Sequence, residues 1–340
     1  MAEFSQILAK LLDARLKTLD AVEAESAMNA IITGAVPNAQ VASFLTALKI
    51  KGETSEEIAA FALAMRKNMI SISPKATAGH LIDTCGTGGD GRGTFNISTC
   101  AAIVASACGA KVAKHGNRAS SSKTGSADVL EELGIKITVE PHDAERMIET
   151  HGFAFLFAPA FHPAMKNVAS IRKELGFRTV FNILGPLANP ANVKRQVIGV
   201  FDRETAGKMA EALRILGTEH ALIVSSDTDE IGISAETEIS ELNKSGTIKN
   251  YSVSPEDFGF KRADISELVV ADRKESAAMI LNVLNGKNRS SARDIVLLNA
   301  GAALYVSGIA SSIQQGITFA EKAIDSGKVL AKLDELRRVS

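Results

Sequence analysis

Four glycines within six positions form a loop whose composition suits a phosphate group. The segment Asp83-Thr84-Cys85-Gly86-Thr87-Gly88-Gly89-Asp90-Gly91 follows a short apolar run and precedes a helix expected to begin at about Ser98. Glycines let backbone N–H groups approach an anion closely, and a helix N-terminus adds a favourable dipole. The run Asn96-Ile97-Ser98-Thr99 supplies side-chain donors at the helix start. We therefore expect a phosphate-binding loop followed by a polar helix start.

The same loop contains a literal G-x-G-x-x-G at Gly86, Gly88 and Gly91. A dinucleotide-binding site with this motif also needs an acidic residue about 20 positions further on, to hold a ribose hydroxyl. No Asp or Glu stands between Gly91 and Ala127. A nicotinamide-dependent dehydrogenase is therefore disfavoured, and a Walker A loop fails because no Lys-Ser or Lys-Thr pair follows the glycines.

Charge is segregated along the chain. Residues 91–127 contain five cations and no acid, which indicates an anion site. These cations are Arg92, Lys111, Lys114, Arg118 and Lys123. Residues 221–243 contain six acids and no Lys or Arg, and Asp229-Glu230 follows an apolar strand. Because Mg²⁺ takes one or two carboxylates together with substrate phosphate oxygens, the two segments together favour a phosphate–Mg²⁺ site.

Composition excludes several classes of protein. The chain has 340 residues, enough for about two domains. Its 38 basic and 39 acidic residues give a net charge of −1, which argues against a globally basic nucleic-acid binder. Three cysteines are too few for a disulfide framework and favour a reducing, cytoplasmic location. No apolar run reaches the length of a membrane span, and the N-terminal residues lack the pattern of a signal peptide.

The order of predicted elements indicates an α/β protein with a small helical bundle domain and a larger α/β domain. Residues 1–70 predict helices only, including one that opens with a capping box at Thr54-Ser55-Glu56-Glu57. After Pro74 apolar strands alternate with helices, which favours a mainly parallel sheet flanked by helices. The predicted strands are Leu81–Thr84, Lys111–Ala113, Ile135–Val139, Phe153–Phe157, Gln196–Phe201 and Ala221–Val224. We expect a helical domain at 1–72, joined by about 163–184, and an α/β domain at 73–162 and 185–340.

Several long motifs resemble those of the anthranilate phosphoribosyltransferases and occur in the same order along the chain. The resemblance covers essentially the whole chain. The matching motifs are Asp83–Asp90, Thr94–Thr99, Lys114–Ala119, Gly125–Glu131, Arg172–Thr179 and Asn182–Pro190. The resemblance implies a helical domain and an α/β domain with the substrates between them, usually in a homodimer. It implies that anthranilate and phosphoribosyl pyrophosphate (PRPP) react, with Mg²⁺, to give N-(5-phosphoribosyl)-anthranilate and pyrophosphate, a step of tryptophan biosynthesis. Nucleic acid and membrane are not expected as partners.

The resemblance also implies roles for individual residues. The PRPP site would comprise Gly86, Gly89, Asp90, Thr94, Asn96, Ile97, Ser98, Thr99, Lys114, His115, Gly116, Asn117, Arg118, Ala119, Ser120, Ser121, Ser122 and Ser126. The anthranilate contacts would be Gly86, Asn117 and Arg172, with His162 and Pro163 in the access channel His162-Pro163-Ala164-Met165. The magnesium ligands would be Ser98, Asp229 and Glu230. Asp227-Thr228 before the acidic pair departs from the family pattern, so a metal-binding or water-facing role for Asp227 stays open.

Residue chemistry suggests how Lys114, His115 and Arg172 would take part in the reaction. Loss of pyrophosphate from a ribose C1 develops negative charge on the leaving group, which Mg²⁺ and Lys114 would stabilise. Arg172 suits the anthranilate carboxylate, because a guanidinium can bind it through two hydrogen bonds. An aromatic amine is unprotonated near neutral pH, so His115 is expected to position a substrate rather than act as a base. None of the three cysteines is expected to be catalytic.

Two further alternatives stay open at this point. A pyrimidine nucleoside phosphorylase would share the architecture and a similar Lys-His-Gly-Asn-Arg loop, but the Gly86–Asp90 loop and the Asp229-Glu230 pair favour the PRPP-dependent enzyme. A non-enzymatic nucleic-acid-binding relative of the fold would need an extended basic surface. The net charge of −1 and the acidic pair argue against it.

Overall fold

Strand–helix alternation produces one mixed sheet. The structure, a computed structural model, describes residues 2–13, 18–75, 81–88, 91–119, 123–287 and 289–339. The strands in these ranges are β1 (Leu81–Gly86), β2 (Lys111–Gly116), β3 (Phe153–Phe157), β4 (Arg195–Gly199), β5 (His220–Ser225), β6 (Thr237–Leu242) and β7 (Ile248–Val253). They lie in the order β3-β2-β1-β4-β5-β6-β7. The first five are parallel, and β6 and β7 form an antiparallel edge.

Helices precede the sheet, connect its strands and follow it. They are α1 (Ala2–Leu11), α2 (Ala21–Ile32), α3 (Asn38–Lys51), α4 (Ser55–Lys67), α5 (Ile97–Ala107), α6 (Ser126–Glu132), α7 (Pro141–His151), α8 (Ala158–Phe161), α9 (Lys166–Leu175), α10 (Phe181–Leu184), α11 (Arg203–Ile215), α12 (Arg273–Leu284), α13 (Ser291–Ser307), α14 (Ile313–Asp325) and α15 (Lys328–Val339). Short 3₁₀ turns occupy Pro163–Met165, Pro186–Ala188, Pro255–Phe258 and Ile265–Leu268.

Local sequence explains where the first helices begin. The side chain of Thr54 accepts a hydrogen bond from the backbone of Glu57, and the Glu57 carboxylate accepts one from the backbone of Thr54. The predicted capping box is therefore confirmed. Asp20 and Glu23 form the same arrangement at the start of α2. Each box satisfies backbone N–H groups that a helix start would otherwise leave without partners.

The N-terminal helices share a core with a later part of the chain. Phe44 and Phe61 are fully buried between α3 and α4, with their ring centroids 6.3 Å apart. Helix α9 packs on α2 and α3, and α10 packs on α4. Val168 and Phe181 from these later helices join the same buried cluster as the N-terminal residues. The assignment of about 163–184 to the helical domain stays a prediction, and β4, β5 and α11 also contribute residues to this cluster.

The order of strands creates a crevice at one edge of the sheet. Chain connections run outward in opposite directions from β1 and from β4, which are neighbours. In sheets of this kind the carboxyl ends of the two strands at such a reversal border an open crevice where ligands bind. The glycine loop follows β1, and the acidic segment follows β5, which is the neighbour of β4. Both predicted ligand loops therefore lie at the same edge.

The predicted fold class is confirmed, and two details differ. Residues 135–139 form no strand, so the predicted strand Ile135–Val139 is wrong. Ile135 and Ile137 are buried in the main hydrophobic cluster, so their alternating apolar pattern reflects packing without strand pairing. The antiparallel pair β6 and β7 was not predicted. None of the helices in the described ranges has the length and apolar character needed to cross a membrane.

Helices α13 and α14 touch backbone to backbone. A substitution at this contact tests how closely the two helices pack. A β-carbon on Gly316 would lie 2.3 Å from the carbonyl oxygen of Gly301. We predict that Gly316→Ala lowers the free energy of unfolding by about 1–3 kcal/mol, because the helices must separate. Gly207→Ala in α11 is the matched control: its β-carbon would meet nothing within 4 Å, so it should stabilise by about 0.5–1 kcal/mol. Urea unfolding measures both, and equal effects would contradict the packing argument.

Candidate functional site

The acidic loop after β5 lies directly on the ends of β1 and β4. A β-carbon on Gly199 would stand 1.6 Å from the carbonyl oxygen of Asp229, and one on Gly86 would stand 2.6 Å from its carboxylate Oδ2. The backbone N–H of Gly88 donates to the same Oδ2 over 3.2 Å. Glycine is required at 199 because any side chain would displace the backbone of the acidic loop, whereas a side chain at 86 would displace the Asp229 carboxylate. The structure therefore brings Asp229 and the predicted phosphate loop together.

The second acid of the pair meets the start of α5. The backbone N–H of Ser98 donates to Glu230 Oε1 over 3.1 Å. This contact places a carboxylate at a helix N-terminus, where the helix dipole favours negative charge. Glu230 thus contacts the helix start at Ser98, and Asp229 contacts the neighbouring glycine loop. Across the described residues, no set of three or more His, Cys, Asp or Glu side chains is arranged to hold a metal.

Lys114 forms the floor of the site. Only 2% of this residue is exposed, and its Nζ donates to the carbonyl oxygen of Thr84 over 2.5 Å and to Ser98 Oγ over 3.5 Å. Burial lowers the pKa of Lys114, and the nearby carboxylates of Asp83, Glu230 and Asp229 act in the opposite direction. A buried cation therefore lies beneath the acidic pair, next to the helix start.

Asp83 is a site residue that the sequence analysis did not single out. Its fully buried carboxylate accepts hydrogen bonds from Asn189 Nδ2 over 2.8 Å and from the backbone N–H of His115 over 3.3 Å. Burial raises the pKa of Asp83 to about 6, against the effect of Lys114. Asp83 thus ties β1 to β2 under the site and provides a negative charge near Lys114. The sequence signal for this role was an aspartate inside a predicted apolar strand, where a charged side chain needs partners.

Two buried histidines lie side by side beyond Lys114. The ring centroids of His115 and His162 are 5.0 Å apart, and His115 Nδ1 lies 3.2 Å from the carbonyl oxygen of Gly185. Burial lowers the pKa of His115 to about 3 and that of His162 to about 4. Both Nε2 atoms are buried without a hydrogen-bond partner in the described part of the chain. The pair is therefore neutral and presents aromatic faces and polar edges without charge.

The residues of the predicted access channel surround a small recess that is too narrow to admit a water molecule, so the channel stays a prediction. His162, Ala164 and Met165 line a narrow cleft together with Ile32 of α2 and Met65 of α4. Pro163 is exposed at the start of the 3₁₀ turn. This cleft is largely apolar, as an aromatic acid would need.

Arg172 lies on α9, among the elements that pack on the first helices. Its guanidinium carbon is 5.4 Å from the centroid of the Phe181 ring, and burial lowers the pKa of Arg172. No carboxylate in the described ranges forms an ion pair with it. Asn117, the other predicted anthranilate contact, is exposed just after β2, and its Oδ1 accepts the backbone N–H of Arg118.

Other predicted residues surround the same loops. Gly116 packs against Ser126, since a β-carbon there would stand 2.2 Å from Ser126 Oγ. Thr94 pairs with Val269 in an isolated bridge, and Thr99 is fully buried within α5. Asn96 and Ile97 stand at the N-cap and first position of α5, and Ala119 donates its backbone N–H to Asp128. The predicted residues Gly89, Asp90, Ser120, Ser121 and Ser122 lie outside the described residues.

Two charged residues have partners that limit their roles. The Arg118 guanidinium bonds to Asp128 and Glu131, so its charge is balanced within the protein. Asp227 accepts a hydrogen bond from Ser234 Oγ over 2.5 Å, and its carbonyl oxygen accepts one from Arg92 Nε over 2.9 Å. Asp227 thus has partners within and beside its own loop, while its Oδ1 is buried without a hydrogen-bond partner among the described residues, so a metal-binding role stays open.

Arg178 also contacts the glycine loop, although the sequence analysis gave it no role. Its Nη2 donates to the carbonyl oxygen of Gly88 over 3.1 Å, and its guanidinium carbon lies 4.4 Å from the Phe201 ring centroid. Both peptide groups flanking Gly88 are thus held from outside the loop. Its place within the Arg172–Thr179 motif was the only signal.

The cysteines lack the environment of a nucleophile. Burial and the neighbouring Asp83 raise the pKa of Cys85 well above its ordinary value. Burial also raises the pKa of Cys100, and it raises that of Cys108 to about 11. Reactive cysteines have lowered pKa values, so these thiols stay protonated near neutral pH. Their lack of a catalytic role stays a prediction.

Comparison with known families covers almost the whole chain. Residues 5–69 match the helical bundle domain of a glycosyl transferase family, and residues 78–330 match the a/b domain of the same family. The anthranilate phosphoribosyltransferase of Geobacillus kaustophilus is 51% identical over 334 residues, which cover 98% of this chain and 97% of that protein.

Solved structures agree with the sequence matches. The crystal structure of anthranilate phosphoribosyltransferase from Thermus thermophilus has a TM-score of 0.92 and 40% identity, covering 100% of this chain and 99% of that one. The Saccharomyces cerevisiae enzyme in complex with PRPP and Mg has a TM-score of 0.90 and 30% identity. The match covers 99% of this chain and 98% of that one. With this similarity over both domains, and with the glycine loop and acidic pair meeting at one crevice, the chain belongs to the anthranilate phosphoribosyltransferase family.

Proposed function

We propose that this protein transfers the phosphoribosyl group of PRPP to anthranilate, giving N-(5-phosphoribosyl)-anthranilate and pyrophosphate in tryptophan biosynthesis. One observation carries the proposal: the Asp229-Glu230 pair meets the glycine loop and the start of α5 directly above buried Lys114. This arrangement places a buried cation beside two carboxylates, which together suit a metal-bound pyrophosphate. A fluorescence assay of anthranilate consumption with PRPP and Mg²⁺ tests it, and no consumption would refute it.

Mg²⁺ fits the residues of the site. Asp229 and Glu230 are carboxylates on adjacent residues, and Ser98 adds a hydroxyl at the helix start. Two carboxylates without a full cage of protein ligands suit Mg²⁺, which keeps positions for phosphate oxygens and water. When bound, Mg²⁺ supplies positive charge that stabilises the departing pyrophosphate. The yeast relative was solved in complex with PRPP and Mg, which supports a requirement for Mg²⁺.

The PRPP side of the site stabilises charge. Buried Lys114 lies where the leaving group would gain negative charge, and the backbone N–H groups of Gly88 and Ser98 hold the acidic pair beside it. Because Lys114 is buried and already held by Thr84 and Ser98, it needs no reorganisation as that charge develops. We also assign the rest of the predicted PRPP residues, including Gly89, Asp90 and Ser120–Ser122, to this side.

The anthranilate side positions an aromatic acid. Arg172 has no acidic partner in the described chain and can bind the substrate carboxylate through two hydrogen bonds. The neutral rings of His115 and His162 offer an uncharged wall for the aromatic ring. His115 is a weak base at a pKa of about 3, so a positioning role suits it better than proton removal. Gly86, Asn117 and Pro163 complete the proposed anthranilate contacts.

The proposal extends to organisation in the cell and in solution. We propose a helical domain at 1–72 with about 163–184 and an α/β domain at 73–162 and 185–340, with the substrates between them. The packing of α9 and α10 on the first helices supports this division. A homodimer is proposed, supported by the exposed apolar side chains of Leu12 and Ile50 on the helical domain. Free Cys85, Cys100 and Cys108 support a cytoplasmic location.

The acidic pair is tested by a double variant, Asp229→Ala with Glu230→Ala. Loss of both ligands should lower kcat/KM by more than about 100-fold, since losing even an outer-shell partner of a metal site costs about 10- to 100-fold. Glu236→Ala, an exposed acid of the same segment, is the matched control and should stay active. Turnover is measured across a Mg²⁺ titration with circular dichroism as the folding check. Near-normal turnover at limiting Mg²⁺ would contradict the assignment.

The division between the two substrates is tested by Arg172→Ala and Lys114→Ala. Loss of a charge-assisted hydrogen bond costs about 1.5–3 kcal/mol, so Arg172→Ala should raise the anthranilate KM by about 10- to 150-fold and spare that of PRPP. Lys114→Ala should weaken PRPP or lower kcat. Lys173→Ala, an exposed neighbour on α9, is the control. Equal weakening of both substrates by Arg172→Ala would point to a structural role.

The buried histidines predict an acid-sensitive stability. His162 stays neutral in the fold down to a pKa of about 4, whereas an unfolded histidine takes up its proton near pH 6.5. The unfolded chain therefore binds more protons between these values, and stability falls as pH decreases, by at most about 1.4 kcal/mol per pH unit. His162→Gln should remove this contribution, and exposed His142→Gln should not. Urea unfolding from pH 7 to pH 4 measures the difference, and parallel curves for all three proteins would contradict it.

A further inference from the structure

The side chain of Asn96 is held by two hydroxyl groups from distant parts of the chain. Its Oδ1 accepts a hydrogen bond from Thr124 Oγ1 over 2.8 Å and another from Ser276 Oγ over 2.8 Å. The backbone N–H of Asn96 donates in turn to Ser276 Oγ over 3.1 Å. Ser276 is fully buried on α12, 180 residues further along the chain. A buried hydroxyl thus contacts both the side chain and the backbone of Asn96.

With the amide oxygen held by these hydroxyls, a ligand meets the nitrogen end of the Asn96 amide. An amide oxygen has two acceptor sites, and here both are used by hydroxyl groups. The Nδ2 group of Asn96 has no hydrogen-bond partner in the described ranges, and the residue is partly exposed at the N-cap of α5. Its two N–H donors are therefore left for a ligand. The opposite orientation would present an oxygen atom, which repels an anion.

The segment that carries Ser276 also holds the residues before Asn96. The backbone N–H of Phe95 donates to the carbonyl oxygen of Leu268 over 2.9 Å, and that of Val270 donates to the carbonyl oxygen of Gly93 over 3.0 Å. Residues 268–276 therefore hold the chain at residues 93–96, immediately before α5. Asn96 is fixed at its backbone and at its amide by the same segment.

We propose that Ser276, together with Thr124, is a positioning residue that orients the Asn96 amide as a donor to a phosphate oxygen of PRPP. This inference rests on the proposed function, because it assumes that PRPP binds at the start of α5. Phosphate oxygens only accept hydrogen bonds, so an amide that is free to rotate would present its oxygen part of the time. Loss of either hydroxyl should weaken PRPP binding and leave anthranilate binding unchanged.

Kinetic constants of Ser276→Ala test the proposal. Loss of a neutral hydrogen bond is typically worth a factor of about 3 to 10, and the PRPP KM should rise by that much while the anthranilate KM stays unchanged. Ser106→Ala is the matched control, since this buried serine of α5 donates to the carbonyl oxygen of Gly152 away from the site. It should change neither KM. Thr124→Val should reproduce the Ser276→Ala effect, and it carries the test if Ser276→Ala does not fold.

A double-mutant cycle separates orientation of the side chain from general support of the loop. In an Asn96→Ala background there is no amide to orient, so adding Ser276→Ala should leave the PRPP KM unchanged. A further rise of the same factor in that background would show that Ser276 supports the backbone alone, and would overturn the proposal. So would equal KM values for Ser276→Ala and Ser106→Ala in an active enzyme. Failure of the wild-type protein to consume anthranilate would instead refute the proposed function itself.

Discussion

The site depends on the close approach of one acidic residue to two strands of the sheet. The carbonyl oxygen of Asp229 lies where a β-carbon of Gly199 would stand, and its carboxylate lies over Gly86. Glycine at 199 lets the backbone of the loop after β5 reach the sheet, and glycine at 86 leaves room for the Asp229 carboxylate. Without this approach, the carboxylates, the backbone donors of the glycine loop and the start of α5 would not meet at one crevice.

The same crevice balances buried charge before any substrate binds. Lys114 is almost fully buried, with its Nζ hydrogen-bonded to Thr84 and Ser98 and with Asp83 close beneath it. Removing an isolated charge from water is costly, so each buried ion here depends on the others. The result is a buried cation with three carboxylates nearby, those of Asp83, Asp229 and Glu230. A magnesium-bound polyphosphate suits such a site, because its metal can bind the carboxylates while its phosphate oxygens face the lysine.

The loops of the site could be predicted from the sequence because each one carries its signal within a short segment. The order of the strands then places these loops side by side. Glycine spacing identified Gly86–Gly91, and charge segregation identified Asp229-Glu230. The rule that parallel strands end at one edge then made them neighbours. Ser276 and Arg178 carried no comparable signal, because they act through contacts 180 and 90 residues away in the chain. The false strand at 135–139 arose because alternating apolar residues also occur in buried loops.

The position of a bound metal tests the central claim most directly. Crystals grown with PRPP and Mn²⁺ in place of Mg²⁺ locate the metal by anomalous scattering. The account predicts one or more manganese peaks within bonding distance of an Asp229 or Glu230 carboxylate oxygen, with PRPP phosphates on the glycine loop and the start of α5. Phosphates bound elsewhere, or manganese that contacts neither carboxylate, would contradict it.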